Sequence, residues 1–252
     1  MTANKPTIVI VPGAWQLRTG WKQFISILEA AGYPTAYVDP PTLGGTTLPL
    51  AGLADDVAAA RKTLVGLLDE GKYVRILCHS AGGVVASNAV EGLDTASRKA
   101  QGLEGGVTQV IYMSAFMLPA GKSLFGMLGG KPLPWMKLTD DRVEVDNLDQ
   151  MAEIGLNDLD ADAQKIWSKE MTHSALGLFT TPSSFEPWAN SIPIAYIFCT
   201  KDNALTYPIQ QQMTLQAGPD LASAKLDAGH CPYISVPYDL FEAMEKMLAL
   251  AD

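Results

Sequence analysis

Residues 74–84 read Val-Arg-Ile-Leu-Cys-His-Ser-Ala-Gly-Gly-Val, and this stretch decides the fold class. Four of its first five residues are apolar, which is typical of a buried strand, and the residues from Ala81 onward have the pattern of a helix. Ser80 stands at the sharp turn between the two elements. The residues that follow it, Ala81, Gly82 and Gly83, are the small residues that such a turn needs.

The turn at Ser80 has two interpretations. In an ordinary strand-to-helix turn, this serine would only cap the helix that follows. In the nucleophile turn of the motif G-x-S-x-G, its hydroxyl would be exposed and the first amides of the helix would face the group that it attacks. Cys78 replaces the first glycine of the motif, and its side chain is small enough for the turn. We favour the nucleophile turn.

Short apolar strands and helices alternate on both sides of this turn. The other expected strands are residues 7–11, 35–38, 107–113, 194–199 and 224–227, and the other expected helices are residues 21–28, 53–68, 209–217 and 238–250. This alternation predicts the α/β class, with a six-stranded, mainly parallel sheet covered by helices on both faces. The 252 residues are enough for a single domain, 1–252, with a full core.

Residues 116–191 interrupt the alternation. The segment contains Gly129-Gly130 and a helical stretch, 161–171, and both of its ends return to the same sheet. These features predict a helical lid inserted between two strands. The large aromatic residues in the segment suggest an apolar or aromatic substrate, because burying aromatic rings is strongly favourable. Including one residue of the first loop, the candidates for substrate contact are Trp15, Phe125, Trp135, Trp167 and Phe179.

Composition excludes several classes of protein. The formal net charge is −9, so nucleic acids and anionic membranes are poor partners. The N-terminus is polar, and no apolar stretch approaches the roughly 18 residues of a membrane span. Three cysteines cannot form a disulfide scaffold, which favours a reduced, cytoplasmic location.

The acidic run 140–162 is interpreted as a solvated face, because it lacks the spacing of a metal-binding loop. We expect no metal or cofactor, and a monomer or homodimer.

A serine nucleophile needs a base, and the chain has three histidines. His79 neighbours Ser80 in the turn and is expected to point away from it, and His173 lies in the inserted segment. His230 follows the last strand, in Ala-Gly-His-Cys-Pro. Because loops after parallel strands gather at one edge of the sheet, His230 is expected to lie near Ser80.

The base needs an acid to orient it. Asp202 follows the strand 194–199 and therefore lies at the same edge, whereas its rival, Asp227, lies within or at the end of the last strand. The order serine, aspartate, histidine is that of α/β-hydrolases. Two backbone amides, those of Ala14 and Ala81, are expected to form the oxyanion hole.

The chain resembles the α/β-hydrolase superfamily in Val-Pro-Gly-Ala-Trp near its start, His-Ser-Ala-Gly-Gly at the turn, and Cys-Thr-Lys-Asp and Ala-Gly-His-Cys-Pro late in the chain. Within the superfamily it is similar to the branch of plant hydroxynitrile lyases, methyl-ester esterases and their microbial relatives. Lyases of this branch carry a threonine where Gly13 stands and a lysine where Cys231 stands. Their absence favours hydrolysis over cyanohydrin cleavage.

The resemblance and the triad together predict a serine esterase that cleaves a carboxylic ester or lactone of a small apolar or aromatic molecule through an acyl-enzyme. Two alternatives stay open. One is a non-hydrolytic lyase or biosynthetic enzyme on the same fold, and the other is a receptor-like homologue that binds a ligand, because fold alone does not determine function.

Overall fold

The structure, a computed structural model, describes residues 5–249. Its strands are β1 (Thr7–Val11), β2 (Thr35–Tyr37), β3 (Tyr73–Ser80), β4 (Gly106–Ala115), β5 (Met136–Thr139), β6 (Arg142–Val145), β7 (Ser174–Ala175), β8 (Ile194–Cys199) and β9 (Ala222–Leu226). Its α-helices are α1 (Lys22–Ala30), α2 (Leu53–Leu68), α3 (Gly82–Ala89), α4 (Thr95–Ala100), α5 (Leu124–Met127), α6 (Leu148–Gly155), α7 (Ala161–Lys169), α8 (Leu176–Thr180), α9 (Tyr207–Thr214), α10 (Pro232–Ser235) and α11 (Pro237–Ala249).

Six strands form the central sheet in the order β2-β1-β3-β4-β8-β9, and every neighbouring pair is parallel. The predicted α/β-hydrolase sheet is therefore confirmed. The final residue expected for the closing helix, Leu250, lies outside the described residues, as do the polar residues 1–4. No helix within residues 5–249 has both the length and the apolar character needed to cross a bilayer.

Alternate side chains of each strand point to opposite faces of the central sheet, and an apolar cluster packs on each face. Val9 and Ile76 pack in one apolar cluster with Leu64 of α2. Ile10 and Leu77, one residue further along each strand, pack in the other cluster, which includes residues of α1 and α11. With both faces covered, the loops at the carboxyl ends of the strands are left to form a binding site.

The segment between β4 and β8 is not purely helical, so the expectation of a helical lid is correct only in part. Strands β5, β6 and β7 form an antiparallel three-stranded sheet, and the same segment contains α5, α6, α7 and α8. The short strands follow the alternation of Val143 and Val145 with polar residues, a period of two that a search for helical spacing overlooks.

Candidate active site

Ser80 ends β3 in a left-handed backbone conformation, with φ at 52°. A non-glycine residue rarely adopts this conformation, and the surrounding packing must hold it. The two glycines after Ser80 allow that packing. A Cβ atom on Gly82 would lie 2.4 Å from the carbonyl oxygens of Val11 and Pro12, and a Cβ atom on Gly83 would lie 2.4 Å from that of Phe116. The glycines are therefore required because the backbones of three loops meet at this turn.

Ser80, His230 and Asp202 form one hydrogen-bonded chain. The Nδ1–H of His230 donates to Oδ2 of Asp202 at 2.7 Å, which leaves Nε2 to accept from the Ser80 hydroxyl at 3.0 Å. All three residues are buried, with Ser80 only 7% exposed. This geometry can move a proton from the serine hydroxyl to the imidazole, while the carboxylate holds the ring in the required tautomer.

Asp202 is fixed in place by the loop that it begins. Its Oδ1 accepts the backbone N–H groups of Ala204 and Leu205 at 2.7 and 2.9 Å. The rival acid, Asp227, is far more exposed, and it forms an ion pair of 2.7 Å with Lys201 at the surface. The structure thus brings Asp202, and not Asp227, to His230.

The loop after β1 lies directly against the serine. A Cβ atom on Gly13 would lie 2.7 Å from Cβ of Ser80, so only glycine permits this approach. The next residue, Ala14, lines the same cavity as Ser80 and Ala81. The N–H of Trp15 points elsewhere, because it donates to the Ser174 hydroxyl at 2.9 Å.

A cavity opens onto Ser80 and His230. The inserted segment supplies about half of its lining, and among the residues that the structure describes no Asp, Glu, Lys or Arg side chain lines it. Besides the aromatic rings, the lining includes Leu124, Leu128, Leu133, Met136, Met151 and Leu205. An uncharged, largely apolar molecule fits such a surface, because its burial leaves no ionic group unpaired.

The aromatic residues predicted to contact substrate separate into two groups. Trp15, Trp135 and Phe179 line the cavity, and the ring of Trp15 lies 5.1 Å from that of Trp135. Phe125 stands behind Phe179, with their ring centres 5.2 Å apart, and does not line the cavity. Trp167 is the clear correction, because it lines a separate surface pocket beside α10.

The remaining histidines do not join the hydrogen-bonded chain as bases. His79 is fully buried, and its Nε2–H donates to the carbonyl oxygen of His230 at 2.8 Å. Burial lowers the pKa of His79 well below its ordinary value, so its ring is neutral. The Nε2–H of His173 donates to the carbonyl oxygen of Gly45.

Cys231, directly after His230, is buried and free. Burial raises the pKa of its thiol to about 12, so the thiol is not a nucleophile near neutral pH. Its Sγ accepts from the side-chain amide of Gln16 at 2.8 Å, and that amide in turn accepts from the Tyr233 hydroxyl. The contacts indicate a packing role for Cys231.

Sequence reasoning missed two residues near the triad. Ser114, at the end of β4, donates from its hydroxyl to Oδ2 of Asp202. Asp158, assigned to a solvated acidic face, accepts the backbone N–H of Gly229 at 2.7 Å and so holds the loop of His230. No local pattern marks either contact, because each joins residues more than 70 positions apart.

The family model described as the alpha/beta hydrolase family matches residues 8–244. The chain belongs to the alpha/beta hydrolase family. It is 29% identical to a probable hydrolase, R7, of Phoma sp., over 98% of this chain and 100% of that protein. It is 25% identical to a pyrethroid hydrolase of Sphingobium wenxiniae, over 94% of this chain and 85% of that protein.

Among solved structures, the chain resembles a methylesterase from Arabidopsis, with a TM-score of 0.76 and 20% identity over 97% of this chain and 99% of that one. At this identity, the likeness is one of fold. The hydrolase relatives show that this chain is a hydrolase homologue.

Proposed function

We propose that the protein is a serine hydrolase that cleaves a carboxylic ester or lactone of a small apolar or aromatic molecule. The observation that carries the proposal is the chain from Asp202 through His230 to Ser80, with the serine opening into an apolar cavity. The pyrethroid hydrolase and methylesterase among the similar proteins bear names that agree with ester cleavage.

In the proposed reaction, Oγ of Ser80 forms a bond to the carbonyl carbon while its proton passes to Nε2 of His230. The tetrahedral oxyanion is stabilised by the N–H groups of Ala14 and Ala81, two donors of the kind that acyl transfer uses. When the carbon–oxygen bond breaks, the alcohol leaves with the proton from His230. Water then attacks the acyl carbon and gives a proton to His230. His230 returns this proton to Oγ of Ser80 as the bond between Oγ and the acyl carbon breaks and the acid leaves.

The cavity supports an uncharged substrate with an apolar or aromatic group. Trp15, Trp135 and Phe179 offer ring faces and edges, and burying one aromatic group of a substrate there contributes roughly 1.5–3 kcal/mol. The inserted segment acts as the lid in this proposal, because it forms about half of the wall around the serine.

A labelling experiment tests the mechanism. A fluorophosphonate probe is expected to modify the wild-type protein at Ser80, as mapped by peptide mass spectrometry, and to leave Ser80→Ala unmodified. A panel of p-nitrophenyl esters and aromatic lactones then tests turnover. Ser80→Ala is expected to lose at least about 10³-fold in kcat/KM while keeping its melting temperature.

Two results would overturn the proposal. Equal turnover by Ser80→Ala would exclude the acyl-enzyme. Labelling at Ser80 without turnover of any ester or lactone would favour a ligand-binding protein or a non-hydrolytic enzyme. The expected cytoplasmic location and the state as a monomer or homodimer stay predictions.

A further inference from the structure

The end of β4 carries an irregularity next to the triad. Strands β3 and β4 pair in regular register from Arg75 with Gln109 to His79 with Met113, but the next pair is Ser80 with Ala115. Ser114 is therefore an extra residue on β4, which makes a β-bulge. Bulges redirect a side chain that would otherwise follow the alternation of the strand, and they occur often beside active sites.

Ser114 also has an unfavourable backbone conformation, with φ at 40°. A non-glycine residue keeps such a conformation only when its surroundings over-determine it. Here the neighbouring strand does so: the hydroxyl of Tyr196 on β8 accepts the N–H of Ala115 at 3.1 Å and donates to the carbonyl oxygen of Ala115 at 3.0 Å. The backbone next to Ser114 is thus held in place by a side chain of the neighbouring strand β8.

The strained bulge has one visible result, which is the direction of the Ser114 side chain. Its hydroxyl donates to Oδ2 of Asp202, the same oxygen that accepts from Nδ1 of His230. Oδ1 of Asp202 accepts from two backbone amides, so the carboxylate has four donors on its two oxygens. The side-chain amide of Gln210 is a more distant neighbour, 3.5 Å from Oδ2.

We propose that Ser114 is a positioning residue of the triad, which fixes Oδ2 of Asp202 toward His230 and moderates its basicity. The inference rests on the proposed function, since it assigns His230 as the base. Without the Ser114 hydroxyl, Oδ2 loses a donor in a buried site, and a carboxylate with fewer donors attracts a proton on its partner more strongly. Removal of the hydroxyl is therefore expected to strengthen the interaction of Asp202 with the protonated ring of His230.

Three other titratable groups lie near His230. They are the neutral ring of His79 at the end of β3, 4.6 Å from the His230 ring, the carboxylate of Asp158 from the inserted segment, and the thiol of Cys231. Among the described residues, no side-chain hydrogen bond joins Ser114 to any of these groups, and its hydroxyl donates to Asp202. Substitution of Ser114 therefore changes the titration of His230 through Asp202.

Two variants separate the hydroxyl from the bulge. Ser114→Ala keeps a Cβ atom in the left-handed conformation and removes only the hydroxyl, whereas Ser114→Gly also relieves the backbone strain. The matched control is Ser87→Ala, which removes another fully buried serine hydroxyl, one bound to the Tyr112 hydroxyl and to the carbonyl oxygen of Gly83.

The experiment measures the imidazole titration of His230 by NMR and the pH profile of kcat/KM. Both Ser114 variants are expected to raise the measured pKa of His230 and to shift the acid limb of the profile to higher pH. They are also expected to lower the plateau of kcat/KM by about 10- to 100-fold, the range that one hydrogen bond to a charged group supplies. Ser87→Ala is expected to leave the titration and the limb in place.

An unchanged titration of His230 in both Ser114 variants would overturn the proposal. Full activity in Ser114→Gly would also overturn it, because that variant lacks the hydroxyl and the hydroxyl would then not be needed for activity. The NMR measurement needs no turnover. If the wild-type protein proves inactive on esters, the proposed function fails, and the titration still decides whether Ser114 acts on His230.

Discussion

The indole Nε1–H of Trp15 donates to the carbonyl oxygen of Val143 at 2.8 Å, and this bond joins the loop beside Ser80 to the middle strand of the inserted sheet. The backbone of Trp15 makes two more bonds to the segment, to the Ser174 hydroxyl and to the N–H of Thr172. The inserted segment is therefore anchored to the loop that carries Ala14, and it does not act as an independent flap on this side.

Trp15→Phe tests that anchor. The change removes the indole N–H, leaves the carbonyl oxygen of Val143 without this donor, and keeps an aromatic ring in the cavity. We expect a loss of about 1–3 kcal/mol in the free energy of unfolding, the cost of an unsatisfied buried polar group, together with lower turnover. Chemical denaturation and ester kinetics measure the two effects. Unchanged stability would show that the bond to Val143 contributes little.

Asp202→Asn is expected to lower kcat by about 10³- to 10⁴-fold, because an amide can hold His230 in the wrong tautomer. Asp227→Asn removes only an exposed ion pair with Lys201, so its kcat is expected to stay within about twofold of the wild type. Steady-state kinetics on the two variants distinguish the acids. A greater loss in Asp227→Asn would reverse the assignment.

Two glycines allow a matched test of the turn after the serine. Gly82→Ala places a Cβ atom against two backbone oxygens and is expected to lower both stability and fluorophosphonate labelling. Gly66→Ala, in α2, meets nothing within 4 Å and is expected to stabilise the protein by about 0.5–1 kcal/mol. Thermal melts and labelling rates compare the pair. Full labelling of Gly82→Ala would contradict the tight turn.

Substrate preference is expected to depend on the aromatic residues that line the cavity. Truncation of Trp135 or Phe179 to Ala is expected to change the ratio of kcat/KM between short and bulky esters by roughly 10–200-fold, the range of discrimination in a hydrophobic pocket. Trp167→Ala serves as the control, because its ring lies in a different pocket. If only Trp167→Ala changed the preference between short and bulky esters, the substrate would bind outside the cavity.

The buried carboxyl group of Asp56 is expected to make the free energy of unfolding depend on pH. Burial raises its pKa to about 6, although its carboxylate accepts both the N–H and the hydroxyl of Thr42. A raised pKa means that the native state favours the protonated carboxyl group of Asp56. Its contribution to the free energy of unfolding is therefore present at low pH and is lost as pH rises through about 6.

Between about pH 5 and pH 8, the contribution of Asp56 to the free energy of unfolding falls by roughly 1 kcal/mol. Asp56→Asn cannot ionise, so its unfolding free energy is expected to decline less over that interval than that of the wild type. Urea denaturation at the two pH values measures the difference. An equal decline in both proteins would show that Asp56 does not titrate in this range.

Which aromatic rings line the cavity depends on how the inserted segment folds, and the sequence predicted this only in part. Aromatic composition marked residues 116–191 as a substrate-facing segment, yet Trp167 lies in another pocket and Phe125 stands behind Phe179. Which ring faces the serine depends on how β5, β6 and β7 pair, and that pairing joins distant residues whose local patterns are short and weak.

By itself, the sequence determined the parallel sheet, the turn at Ser80 and the order of the three triad residues. These features follow from local properties: apolar periodicity, the need for small residues at a sharp turn, and the gathering of loops at one edge of a parallel sheet. The sequence favoured Asp202 over Asp227, and the tertiary structure brings Asp202 to His230. Only the tertiary structure revealed the bulge that turns Ser114 toward Asp202. Those choices depend on backbone direction at the ends of strands, where a shift of one residue reverses the side to which a side chain points.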